Sequence, residues 1–271
     1  KAPVVFRFGG DMMAGPAFRR IGKGDEAPLV LLHGFGGNMR TWNRVFPLIR
    51  DDVPLILFDL PGHGKSVASD GRGGAGRMAK AIAQALQAND IERFHVAGHS
   101  MGGAVATLVA MRAPEKVLSV SLIAPGGMAP DINAELLAEF SKAQTTEELE
   151  AVIRRMAGPG LEVPEGYFAA AAEFRQAPGA MEALGETYAA MFPEGPEQGQ
   201  GVLPKAQMAE LPMAVNVLWG GADTVLPCPA PQALPDNFKL TVLGDAGHML
   251  PEERPQDVAD WLRAGVNRPG K

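Results

Sequence analysis

The stretch that decides the fold is Phe94-His95-Val96-Ala97-Gly98-His99-Ser100-Met101-Gly102-Gly103. It begins as an apolar run typical of a buried strand, and a small-residue helical run, 104–111, follows at once. The turn between them has the spacing Gly-x-Ser-x-Gly, which holds a serine on a strained bend between strand and helix. Gly98 and Gly102 are needed because strand and helix approach too closely there for a Cβ atom. We predict that Ser100 is an exposed nucleophile at a helix N-terminus rather than a simple N-cap.

Composition limits the classes of protein. The chain has 271 residues, 46% of them hydrophobic, and this length suits one α/β domain with a large core. The net charge is −6 without a basic stripe, so we do not expect a nucleic-acid partner. The single Cys228 excludes an internal disulfide and favours a reducing, cytoplasmic compartment. No apolar run is long enough for a membrane span or a signal peptide. Because the sequence begins at Lys1 rather than Met, we expect a chain that is trimmed, tagged or cut from something longer.

Apolar runs alternate with helical patterns on both sides of the opening stretch. Residues 4–8 and 17–21 are expected to form a short hairpin. Continuous apolar runs, typical of strands buried on both faces of a parallel sheet, occupy 29–33, 53–58 and 117–123. Helical spacing is found in 38–49 and 75–88. This alternation predicts an α/β fold with a mostly parallel central sheet flanked by helices.

The alternation stops between residues 128 and 211, where only helical patterns occur. Thr145 and Glu148 form a candidate capping box, and further helical stretches are expected at 132–143, 167–174 and 181–192. Strand patterns resume at 214–219 and 239–243, and a last helix is expected at 255–266. We therefore predict a core made of residues 1–127 and 212–271, with residues 128–211 inserted as an all-helical lid.

A serine hydroxyl is a weak nucleophile and needs a base, which an acid must orient. His248 lies in the loop after the last predicted strand, and Asp223 lies in the loop after the preceding one. Both loops open at the same sheet edge as Ser100, so we predict a Ser100–His248–Asp223 triad. Asp245 competes for the acid role, but it lies too near His248 in sequence to face the far ring nitrogen.

The oxyanion of an acyl intermediate needs preorganised N–H donors. We expect one from the backbone of Met101 and one from Phe35, in the His33-Gly34-Phe35-Gly36 loop after an inner strand. Gly34, Phe35, Met101 and Met249 are expected to line the acyl pocket. Ordinary core packing explains the side chains of Phe35, Met101 and Met249 equally well.

Other candidate motifs fail on spacing or chemistry. Residues 62–66 resemble a phosphate loop, but Asp59 stands where that motif needs glycine. His95 and His99 are too far apart on a strand to share a metal. We expect a structural role for His95, packing or a local hydrogen bond for His99, and hydrogen bonds from His33 that fix its loop. Cys228 lacks a catalytic partner. We expect neither a metal nor a cofactor.

These motifs together resemble the α/β-hydrolase superfamily: residues 33–36, residues 59–64, the Ser100 turn, Asp223 and Gly247-His248. Residues 122–133 are similar to a narrower group, the hydrolase-like modules named as the dihydrolipoamide acetyltransferase component of acetoin dehydrogenase systems. The sequence contains no fitting lipoyl domain, and it lacks the His-x-x-x-Asp-Gly signature of true acyltransferase cores.

We expect a serine hydrolase that cleaves an ester or thioester through an acyl-enzyme. The Met- and Ala-rich lid, without a concentrated charge cluster, favours an apolar or small acyl substrate. Three alternatives stay open: an acyltransferase component of an acetoin or 2-oxoacid dehydrogenase-like complex, a C–C bond hydrolase, and a non-catalytic scaffold. The expected partners are a small-molecule acyl substrate and further copies of the chain or dehydrogenase-complex subunits, and we expect no membrane.

Overall fold

A computed structural model describes residues 15–24 and 26–267. Seven strands form one sheet in the order β1-β3-β2-β4-β5-β6-β7. Only β1 is antiparallel to its neighbour, β3, and the other neighbouring pairs are parallel. The strands are β1 Phe18–Ile21, β2 Leu29–Leu32, β3 Leu55–Phe58, β4 Phe94–His99, β5 Val117–Ile123, β6 Ala214–Gly220 and β7 Phe238–Leu243. β2 to β5 are buried along almost their whole length, which explains their continuous apolar sequences.

Ten α-helices surround or extend this sheet in the described chain. They are α1 Phe46–Ile49, α2 Ala75–Gln87, α3 Met101–Arg112, α4 Ala134–Lys142, α5 Thr146–Met156, α6 Tyr167–Arg175, α7 Ala180–Met191, α8 Lys205–Ala209, α9 Leu250–Glu253 and α10 Pro255–Val266. α5 begins with the predicted capping box, in which the Thr145 hydroxyl and the Glu148 carboxylate each accept from the other residue's backbone N–H. α4 to α8 lie between β5 and β6, and we refer to residues 128–211 as the helical insert.

Three local predictions differ from the structure. Residues 38–49 form a 3₁₀ segment, Met39–Arg44, and then the short α1, rather than one helix. Pro47 in the first turn of α1 cannot donate a backbone hydrogen bond, which favours this break. The strand expected at 17–21 is β1, but its described partner is β3, and residues 4–8 lie outside the described residues. The short α8 and α9 were not predicted.

The parallel strands bring four loops to one edge of the sheet. Gly34 and Phe35 follow β2, Ser100 follows β4, Asp223 follows β6 and His248 follows β7. The helical insert contacts these loops, for example through a 2.9 Å hydrogen bond from the His248 N–H to the Met156 carbonyl. Within the described residues, none of the helices combines the length and apolarity that crossing a bilayer requires.

Candidate active site

The turn after β4 has the strained backbone that its sequence predicts. Ser100 has φ 53° and ψ −121°, outside the regions that most residues adopt. Its N–H donates to Ile123 at 2.9 Å, and its carbonyl accepts from Gly126 at 2.9 Å. A Cβ at Gly98 would collide with the Gly102 backbone, which is why only glycine fits there. The turn is therefore fixed from both sides and holds the Ser100 hydroxyl at the start of α3.

Three side chains from three loops form one hydrogen-bonded chain. The Ser100 Oγ lies 2.9 Å from Nε2 of His248. The other ring nitrogen, Nδ1, lies 2.8 Å from Oδ2 of Asp223. Since a carboxylate accepts, Nδ1 carries the proton, and the neutral ring leaves Nε2 free to accept from the serine hydroxyl. The arrangement can remove a proton from Ser100 when the hydroxyl attacks a carbonyl.

The Asp223 carboxylate is buried yet held in its charged form. Burial alone would raise its pKa, but the nearby His248 and two backbone N–H groups lower the pKa below its usual value. Those N–H groups belong to Val225 and Leu226, and each donates to Oδ1 at 2.8 Å. One carboxylate oxygen thus fixes the loop, and the other orients the imidazole.

Further groups hold the loop of His248. Glu253 accepts from the backbone N–H groups of Gly247 at 2.8 Å, Met249 at 2.8 Å and Gly158 at 2.9 Å. His99 donates from Nε2 to the His248 carbonyl at 2.7 Å. We expect packing or a local hydrogen bond at His99; its ring packs 5.0 Å from the His248 ring, but its hydrogen-bond partner lies 149 residues away in the sequence. Sequence inspection did not single out Glu253 either.

Four histidines have pKa values that are too low for proton transfer near neutral pH. Burial is the main cause, lowering the pKa to about 4 in His33 and His95 and to about 3 in His63 and His99. His33 donates to the Gly34 carbonyl at 2.8 Å and accepts from Leu60 at 2.9 Å. His95 bonds to the Ser119 hydroxyl at 2.7 Å. The structural roles expected for His33 and His95 match these contacts, which leaves His248 as the candidate base.

The loop after β2 lies directly beside the nucleophile. A Cβ at Gly34 would lie 3.1 Å from the Cβ of Ser100, so the backbone approaches the serine closely. Phe35, Met101 and Met249 have buried side chains. The Phe35 ring lies 6.0 Å from the ring of Phe140 in the helical insert. Assigning the Phe35 and Met101 N–H groups to an oxyanion, and all four residues to an acyl pocket, stays a prediction.

Two buried charged residues near this site were missed in the sequence. Arg175, at the end of α6, and Glu252, in α9, are both almost fully buried. Neither belongs to a recognisable motif, and no periodic pattern sets them apart from the exposed charges around them. The rejected acid, Asp245, is exposed and pairs with Arg254 at 2.6 Å.

Comparison with known proteins assigns the chain to a family. Residues 29–261 match the model of the alpha/beta hydrolase family. This match covers far more than half of the 271 residues, and the chain therefore belongs to that family.

Individual relatives carry different names. The chain is 33% identical to the dihydrolipoyllysine-residue acetyltransferase component of the acetoin cleaving system of Cupriavidus necator, over 91% of this chain and 65% of that protein. It is 34% identical to a Klebsiella pneumoniae pimeloyl-[acyl-carrier protein] methyl ester esterase, over 51% of this chain and 53% of the esterase. The chain thus spans about two thirds of the first relative's length and half of the second's.

A solved structure shows the same fold. A meta-cleavage product hydrolase from Pseudomonas fluorescens superimposes with a TM-score of 0.80, covering 95% of this chain and 97% of the hydrolase. The two sequences are 22% identical, so this likeness concerns the fold alone.

Proposed function

We propose that this chain is a serine hydrolase that cleaves an ester or thioester of a small-molecule acyl substrate through an acyl-enzyme. The observation that carries the proposal is the hydrogen-bonded chain from Ser100 to His248 at 2.9 Å and from His248 to Asp223 at 2.8 Å. The chain's membership of the alpha/beta hydrolase family supports the same class of reaction.

The steps follow from the geometry. Ser100 Oγ attacks the substrate carbonyl while Nε2 of His248 takes its proton. Asp223 stabilises the imidazolium that forms. The N–H groups of Phe35 and Met101 hold the oxyanion. His248 then protonates the leaving group, and it next activates a water that releases the acyl group from Ser100.

The helical insert acts in this proposal as a lid over the acyl pocket. Support comes from its contacts with the loops of Asp223 and His248. The Thr224 hydroxyl donates to the Arg155 carbonyl at 2.6 Å, and the His248 N–H donates to the Met156 carbonyl at 2.9 Å. Closing such a site excludes water and strengthens the hydrogen bonds inside it.

Turnover of p-nitrophenyl acetate and butyrate tests the hydrolase proposal. Ser100→Ala removes the nucleophile, so we expect kcat/KM to fall by at least about 10³-fold. Melting curves of the variant check that it is folded. If wild type and Ser100→Ala turn over these esters equally slowly, the chain is not a serine hydrolase, and a binding or scaffold role gains support.

An acyltransferase is the second candidate, favoured by the name of the relative from Cupriavidus necator. In that reaction a thiol replaces water in releasing the acyl group from Ser100. Dihydrolipoamide added to a turnover assay separates the two reactions. Hydrolysis releases the free acid, whereas acyl transfer gives the thioester of dihydrolipoamide. The likeness to a C–C bond hydrolase is one of fold and adds no argument for that activity.

A further inference from the structure

A buried arginine of the helical insert takes no part in the reaction described above. Arg175 ends α6, and only 4% of its surface is exposed. Its guanidinium carbon lies 4.7 Å from the centre of the Phe140 ring. Nη1 donates a 3.0 Å hydrogen bond to the Phe140 carbonyl. These two contacts fix the guanidinium group in one orientation.

The second terminal nitrogen of this guanidinium group is buried and unpaired. Nη2 has no hydrogen-bond partner within the described ranges 15–24 and 26–267, and no carboxylate there forms an ion pair with it. Burial lowers the pKa of Arg175 to about 10, so the group remains charged at neutral pH. Buried cations are normally paired, and a charged donor left unused next to an active site indicates a missing anionic partner.

This nitrogen faces the loop that carries the proposed oxyanion donor. A Cβ at Gly36 would lie 3.0 Å from Nη2 and 2.5 Å from the Phe140 ring. The backbone at Gly36, with φ +67°, therefore packs against the guanidinium group and the Phe140 ring more closely than a residue with a side chain could. Gly36 directly follows Phe35, so the charge lies beside the loop of the proposed oxyanion donor.

A second unpaired polar atom belongs to the His63 ring, near Phe35. The His63 ring is centred 6.2 Å from the Phe35 ring, and its Nδ1 donates to the Pro61 carbonyl at 3.2 Å. Nε2 of this neutral ring is therefore an acceptor, buried and without a partner in the described chain. After burial and His33, the charge of Arg175 is a further cause that lowers the pKa of His63.

We propose that Arg175 binds a carboxylate at the end of the acyl group, which makes the preferred substrates esters or thioesters of dicarboxylic acids. This inference rests on the hydrolase function and deepens it by naming the substrate class. The hydrogen bond from Nη2 would be charge-assisted, in a site from which water is largely excluded. His63 adds no opposing charge, and its Nε2 can accept from a hydroxyl group or water beside the carboxylate. The proposed anionic substrate therefore differs from the apolar or small acyl substrate that the lid composition favours.

Paired substrates of equal length test the proposal. One member is a monomethyl ester of succinate, glutarate or adipate, and the other is the same ester with a neutral terminal amide. At one or more of the three lengths, we expect wild-type kcat/KM to be about 10- to 100-fold higher for the anionic member. Acid release in a pH-stat measures both reactions.

Variants at two arginines locate the effect. Arg175→Met should reduce the ratio of anionic to neutral substrate to about 1, and Arg175→Lys should keep part of it. Arg154→Met is the matched control, because Arg154 also lies over an aromatic ring of the insert but is half exposed and paired with Glu150. It should leave the ratio unchanged. If Arg175→Met does not fold, competitive inhibition of the wild type by glutarate, compared with its diamide, gives the same decision.

Equal rates for both members at all three lengths in the wild type would overturn the proposal, as would a ratio that survives in Arg175→Met. A binding experiment separates it from the hydrolase function. Ser100→Ala should bind monomethyl glutarate, by calorimetry, at least 10-fold more tightly than Ser100→Ala with Arg175→Met. Such binding without any ester turnover in the wild type would sink the hydrolase function and leave the carboxylate subsite standing.

Discussion

At the sheet edge, Ser100, Asp223 and His248 lie in loops that follow the ends of strands, and two backbone N–H groups bind the second carboxylate oxygen of Asp223. In the helical insert, Arg175 and Phe140 are placed by helices packed on one another, and one buried nitrogen is left unpaired. In our proposals the first region supplies the chemical groups, and the second contacts the far end of the substrate. Reaction type and substrate choice would then reside in different parts of the chain.

The largest expected effect tests the sheet edge. Asp223→Asn keeps the shape of the side chain but favours the wrong imidazole tautomer, so kcat should fall by about 10⁴-fold with little change in KM. Steady-state kinetics on p-nitrophenyl butyrate measure it.

Asp245→Asn is the matched control for this substitution, because Asp245 is the other acid in the loops near His248 and pairs with Arg254 on the surface. It should stay within about twofold of wild type. Equal losses in both variants would show that Asp223 is not the orienting acid.

A pair of glycines tests how tightly each region is packed. At Gly102 in α3 a Cβ would collide with the carbonyls of Leu32 and His33, whereas at Gly185 in α7 it would meet open space. Gly102→Ala should cost more than about 3 kcal/mol of unfolding free energy. Gly185→Ala should be stabilising by about 0.5–1 kcal/mol, because it lies exposed within a helix. Urea denaturation measures the unfolding free energy of both variants. Equal changes would show that the two regions do not differ in packing at these glycines.

The contact between the two regions supplies a pH effect. Glu252 accepts from the Tyr167 hydroxyl of α6 at 3.2 Å, and burial raises its pKa from 4.5 to about 8. Between these values the unfolded chain ionises while the folded chain keeps the proton, so the contribution of Glu252 to stability falls as pH rises. Glu252→Gln removes this titrating group. The unfolding free energy of the variant, relative to that of wild type, should therefore increase by about 2–4 kcal/mol between pH 4.5 and pH 8.

Urea midpoints of both proteins across this pH range measure the gain at Glu252. Parallel pH profiles for wild type and Glu252→Gln would mean that the Glu252 carboxyl ionises in the folded protein as it does in the unfolded chain.

The strands and the turn at Ser100 could be predicted because each requires particular residue types at neighbouring positions in the sequence. The bend at Ser100 needs glycines at fixed spacing, and buried parallel strands need continuous apolar runs, as in β2 and β4. The family assignment and the fold expected from these motifs are confirmed. The break between Met39–Arg44 and α1 was missed because both segments bury residues at helical spacing, Trp42 and Ile49 among them.

The insert side could be predicted only as helices. Arg175 ends an alanine-rich helix, and its burial depends on Phe140, 35 residues away. Charge counts along the sequence treat it like the exposed Arg154 or Arg155. His99 shows the same limit, since its partner His248 lies on another loop. Contacts set by tertiary packing leave no local pattern.

The attachment of the insert to the His248 loop has a consequence for protein engineering. The carbonyl of Met156 and the N–H of Gly158 hold that loop directly or through Glu253, and the Arg155 carbonyl holds Thr224. A chimaera that replaces all of residues 128–211 would therefore also remove these supports of the His248 and Asp223 loops. A graft that begins after Gly158 would keep these hydrogen bonds and Phe140, the partner of Arg175, while it exchanges α6.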